Sequence, residues 1–74
     1  MKSEVRYPKG ERIWVSYYNE KSELMFIITS KEPSRDYYFL YELADNEFKR
    51  LGKSRSPLEL EQKFSVNEKL RNSR

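Results

Sequence analysis

The residues most able to do chemistry are cationic and aromatic. The segment KRLGKSR places Lys49, Arg50, Lys53 and Arg55 within a few positions of one another, and Arg12 stands beside Trp14 near the start of the chain. Aromatic rings on a strand surface offer π faces on which unpaired bases stack, while neighbouring Lys and Arg hold phosphates. Arg12, Trp14, Tyr18, Tyr38, Lys49, Arg50, Lys53 and Arg55 therefore form the candidate binding set. The same types, Trp, Tyr and Arg, also anchor protein interfaces. A solvated strand-to-helix connection explains KRLGKSR equally well. A helix start after Arg55 would offer free amides to a phosphate, but Glu59 and Glu61 in its first turns oppose an anion there.

Other chemistry is poorly provided for. The 74 residues contain neither cysteine nor histidine, which removes disulfides, thiol nucleophiles, imidazole acid–base catalysis and the usual zinc sites. The acids Glu20, Glu23, Glu32, Asp45, Glu47, Glu59 and Glu61 fall mostly in expected turns and helix, where they read as solvated charges. Glycine occurs only at Gly10 and Gly52, so no phosphate-cradling loop is present. A chain this short rarely builds the deep pocket that acid–base work by paired carboxylates needs. The expectation is a protein without catalysis, cofactor, metal site or small-molecule substrate.

The net charge of +3 is mild, and solubility alone accounts for it. The opening MKSEVRYPKG lacks an apolar core of signal-peptide length, and the greasiest run, LMFIITS, is far too short to span a bilayer. A cytoplasmic location with no membrane partner is expected.

The elements that must position these side chains follow from local pattern. Residues 1–74 read as a single domain near the lower size limit for a self-sufficient core. Residues 1–10 form a loose N-terminal arm punctuated by Pro8 and Gly10. Strands are expected at ERIWVSYY, ELMFIITS, DYYFLYEL and FKRL, within a meander over 11–52. NEKS and ADNE supply the tight turns, and Pro33 opens the loop in the middle. SPLE then signals a helix start, with Ser56 as cap, Pro57 at the first helical position and Glu59 reaching back. That helix is expected over 56–64, with Leu60 and Phe64 on one face. A second Ser-x-x-Glu start at Ser65 offers an extension to about residue 70, and 71–74 read as a mobile tail.

The fold class expected is thus α+β: a small antiparallel three- to four-stranded meander followed by one C-terminal helix packed on one sheet face. The order of elements resembles the three-stranded DNA-binding domains at the start of some phage and transposon integrases. It is also similar to the four-strand-plus-helix single-strand binders of the transcriptional coactivator type. Both are likenesses of layout without a shared motif.

DYYFLYEL is apolar in both phases of a strand, so the sheet has two faces that shun water. Pairing Tyr17 with Leu24, Val15 with Phe26 and Phe26 with Phe39 gives one apolar face: Ile13, Val15, Tyr17, Leu24, Phe26, Ile28, Phe39 and Tyr41. One short helix covers that face and leaves Arg12, Trp14, Tyr18, Met25, Ile27, Tyr38, Leu40, Lys49 and Leu51 on the other, as an interface. Three alternatives compete: Val5 and Tyr7 of the arm fold over the second face, the helix covers the Trp14 face instead, or two copies associate through a sheet face or edge. The function expected is non-catalytic binding, with nucleic acid slightly ahead of a protein partner or homodimer.

Overall fold

A computed structural model describes residues 5–31 and 36–72. The first four residues of the arm, the loop expected around Pro33 and the last two residues of the tail lie outside this set. The described chain forms β1 (Glu11–Tyr18), β2 (Leu24–Lys31), β3 (Tyr38–Ala44) and β4 (Glu47–Ser54), then α1 (Pro57–Lys63) and α2 (Val66–Asn72). The strands make one antiparallel sheet in the order β1-β2-β3-β4. The α+β meander is therefore present.

Two short helices stand where one was expected. Ser65 adopts φ 52°, a left-handed conformation that cannot propagate a right-handed helix. Its N–H turns back to the Gln62 carbonyl, and its own carbonyl accepts from Lys69 to open α2. The start of α1 also differs in mechanism from a capping box. Ser56 is the N-cap but makes no side-chain cap bond. Ser54 Oγ accepts from the Ser56 N–H and donates to Glu59 Oε1 at 2.6 Å, so strand β4 supplies the polar anchor.

The turns hold the strands in sequence. Asn19 Oδ1 accepts from the Lys21 and Glu23 N–H groups, and its amide donates to Glu23 Oε1, which knots the β1–β2 connection. Asp45 and Asn46 both have positive φ and close β3–β4 as a two-residue hairpin, the geometry that matches strand twist and that Asn and Asp tolerate.

The pairing departs from the expected register. Tyr17 opposes Phe26, Val15 opposes Ile28 and Phe26 opposes Glu42, with irregularities that leave Trp14, Met25 and Leu51 as extra residues. Across β3 and β4, Glu42 pairs with Lys49 and Leu43 with Phe48. Because β3 slips by an odd number of residues, its faces exchange. Leu40 lies beneath the helices with Tyr17, Phe26, Ile28, Leu60 and Val66, and Phe39 and Tyr41 join Ile27 on the opposite face. Both phases of β3 are apolar, and hydrophobicity alone therefore could not choose between them. The outcome puts aliphatic Leu40 against Leu60 and turns the Tyr41 hydroxyl toward polar partners.

The helix-bearing face is sealed by α1 over β3 and β4, and α1 reaches β1 through Glu61, whose carboxylate accepts from the Tyr17 hydroxyl. Burial first, and then this carboxylate, push the Tyr17 phenol pKa far up. The opposite face is closed without a helix. Arg6 bridges Glu47 of β4 in parallel, and Tyr7 packs on Phe48 with ring centroids 5.2 Å apart. The arm thus passes from β4 over the Phe48 side to β1, where the Glu11 carboxylate covers the sheet. Among the described residues no buried side-chain polar atom lacks a partner, and no helix is long and apolar enough to cross a membrane.

Candidate functional site

Cross-strand rungs place the candidate residues. One rung joins Arg12, Ser30, Tyr38 and Ser54, and the next joins Ile13, Thr29, Phe39 and Lys53. Both lie at the end of the sheet where β1 and β3 begin and β2 and β4 finish. The bulge at Trp14 throws its indole onto the helix-bearing side. There Nε1–H donates to Ser30 Oγ and the ring meets Tyr38 edge-on at 5.7 Å. Since α1 lies over β3 and β4, this corner of β1 stays open, and Trp14 is 46% exposed.

The adjacent residue of the same dipeptide organises the other side of the rim. Tyr37, 38% exposed, carries Lys53 Nζ 4.9 Å and the Arg55 guanidinium 5.8 Å from its ring centroid. Both distances fall within cation–π range. Tyr38 thus contacts the exposed indole and Tyr37 the two surface cations, at the same end of the sheet. Glu59 is bonded to Ser54 on this same end, so the start of α1 adds a carboxylate rather than an anion cradle.

Five of the eight expected residues, Arg12, Trp14, Tyr38, Lys53 and Arg55, gather around this rim. The other three stand apart. Tyr18 is exposed at the far end of β1, next to a groove of about 390 Å³ bordered by Asn67, Leu70 and Arg71. Lys49 pairs across the strand with Glu42, on the helix-bearing side of the distant end. Arg50 points to the opposite face from Lys49 and is committed there.

Arg50 belongs to a polar cluster that sequence reasoning did not find. The Glu11 carboxylate accepts from Thr29 Oγ1 at 2.6 Å, from the Tyr41 hydroxyl at 2.9 Å and from Arg50 Nη2 at 3.4 Å. Arg50 also donates to the Tyr41 hydroxyl and lies 4.3 Å over the Phe39 ring. The Glu11 side chain is only 7% exposed, against 47% for Arg50. Burial raises the Tyr41 pKa, Arg50 pulls it down and Glu11 raises it again, with an upward net shift. Hydrogen bonding to Tyr41 is the chief cause that raises Arg50. The cluster is a charged lid over Ile27, Phe39 and Tyr41. The only sequence signal for it was the hydroxyl of Tyr41, in a strand otherwise made to bury Phe or Leu.

No protein-family model, curated protein or solved structure matches the chain.

Proposed function

We propose that the protein is a non-catalytic binding module that takes nucleic acid at the rim of Trp14, Tyr37, Tyr38, Lys53 and Arg55. The observation that carries this reading is the Tyr37–Tyr38 dipeptide at one sheet end, where Tyr38 meets the half-exposed indole and Tyr37 carries the Lys53 and Arg55 cations. A single strand that crosses this sheet end would meet a ring for stacking on one side and cations for its phosphates on the other. Arg50 is held by Glu11 and Tyr41, Lys49 stands across from Glu42, and Tyr18 lies at the far end of β1.

The chain has one tryptophan, so its fluorescence reports on the site directly. Titration with an oligonucleotide should quench Trp14, and log K should fall linearly with log salt. The double variant Lys53→Ala, Arg55→Ala should flatten that slope by about 1.4, the release expected from two phosphate contacts on a single strand. An unchanged slope, or no quenching, would remove the site.

One observation favours a second reading. β1 is an outer strand that carries exposed Ile13 and Tyr18, which suits docking of an extended polypeptide or a second copy. Such docking should respond little to salt and should survive the double variant.

A further inference from the structure

We infer that α2 is an exchangeable element: two copies of the chain straighten at Ser65 and swap α2, each seating Val66 and Leu70 in the other's core. Neither glycine nor proline follows Pro57 in the stretch that ends at Asn72, and Ser, Val and Asn at 65–67 are middling helix formers rather than stops. The break between α1 and α2 rests on Ser65, at φ 52°. Helices often end on a left-handed residue, but that residue is usually glycine or asparagine. A serine there bears the Cβ clash that glycine avoids. The bend also costs hydrogen bonds. The Ser65 N–H turns to Gln62 and helical bonding resumes only at Lys69, so the Val66, Asn67 and Glu68 amides begin α2 without a helical acceptor.

Apolar docking holds the bend in place. Val66 is fully buried and Leu70 half-buried against the cluster of Tyr17, Phe26 and Leu60, while Asn67, Glu68, Lys69, Arg71 and Asn72 are exposed. The seat is loose: open grooves of about 390 and 470 Å³ flank the helix, one bordered by Tyr18 and Leu70, the other by Met25 and Lys69. A right-handed Ser65 would join the two helices, give those amides acceptors and remove the clash. It would also strip a lone chain of both apolar contacts. A second copy in the same form restores them, because the seat vacated in each chain fits the other's α2. The exchange is reciprocal and closes as a twofold dimer.

The test is the monomer–dimer equilibrium of the full chain, read by light scattering over a concentration series for the parent, Ser65→Ala and Ser65→Gly. Alanine, the better helix former, should tighten dimerisation by about fivefold over the two hinges. Glycine, at ease in the bend and poor in a helix, should weaken it by about a hundredfold. Thermal unfolding should show all three folded. In a mixture of isotope-labelled and unlabelled chains, filtered NOEs should run from the Val66 and Leu70 methyls of one chain to the Tyr17 and Phe26 rings of the other. A Ser65→Ala variant that stays monomeric throughout overturns the inference. So does a dissociation constant indifferent to residue 65, or a dimer whose Val66 and Leu70 meet only rings of their own chain, since such a dimer is joined elsewhere.

Discussion

Glu11 shows how one side chain can close a sheet face. It sits in the first position of β1, where an acid usually reads as a solvated charge, yet its carboxylate receives bonds from Thr29, Tyr41 and Arg50. Such a group is stabilising while every partner is present, and its removal strands the donors left behind. Glu11→Ala should lower unfolding free energy by about 2–3 kcal/mol, measured by urea denaturation, because two buried hydroxyls lose their acceptor. Glu11→Gln keeps an acceptor oxygen and should cost less. If Glu11→Ala unfolds at the parent urea midpoint, the carboxylate is not the lid described here. Arg50→Ala, by the same logic, should act on stability far more than on ligand affinity, the reverse of Lys53→Ala.

At the level of elements, the sharpest contact is between β4 and the turn after α1. A Cβ added to Gly52 would stand 2.6 Å from Phe64 Cζ and 2.8 Å from Cε2, closer than packed atoms allow. Gly52→Ala should therefore destabilise by about 1–3 kcal/mol, the range for overpacking. The pair Gly52→Ala, Phe64→Leu should recover part of that loss, so that a double-mutant cycle returns a clear coupling energy; strictly additive losses would rule out the contact. Much of this layer was legible beforehand. Strand periodicity, the NEKS and ADNE turns and the SPLE start located the four strands and α1 to within a few residues. The β3 phase was not legible, because Phe39, Tyr41 and Leu43 are as apolar as Tyr38 and Leu40. Nor were the bulges at Trp14, Met25 and Leu51, since extra residues in a ladder leave no mark on alternation. The candidate site suffered from both. Trp14 changed sides through a bulge and Tyr38 through the phase of β3, so both lie on the helix-bearing side, away from Lys53.

For the whole molecule, the two-face problem is solved differently on each side: two helices cover one, and an arm with a polar lid covers the other. Each solution locks a tyrosine. Tyr17 is buried against Glu61 beneath α1, and Tyr41 is buried in the Glu11 cluster; both have pKa values raised in the folded state. In the unfolded chain both phenols titrate near 10. A group whose folded pKa is the higher one contributes its full stability below the unfolded value and loses it as pH climbs beyond that point, because only the unfolded chain then sheds its proton. Stability should thus be flat with respect to these groups up to about pH 9.5 and fall above it. The slope is about 1.4 kcal/mol per pH unit for each phenol, or about twice that while both remain protonated in the fold. Urea unfolding between about pH 9 and 11.5 measures the fall. Tyr17→Phe and Tyr41→Phe should each reduce it by about one proton, and the double variant should be nearly level over the same range. A double variant that loses stability as steeply as the parent would mean that neither face depends on a protonated phenol. The helices and the lid would then have to be held by packing alone.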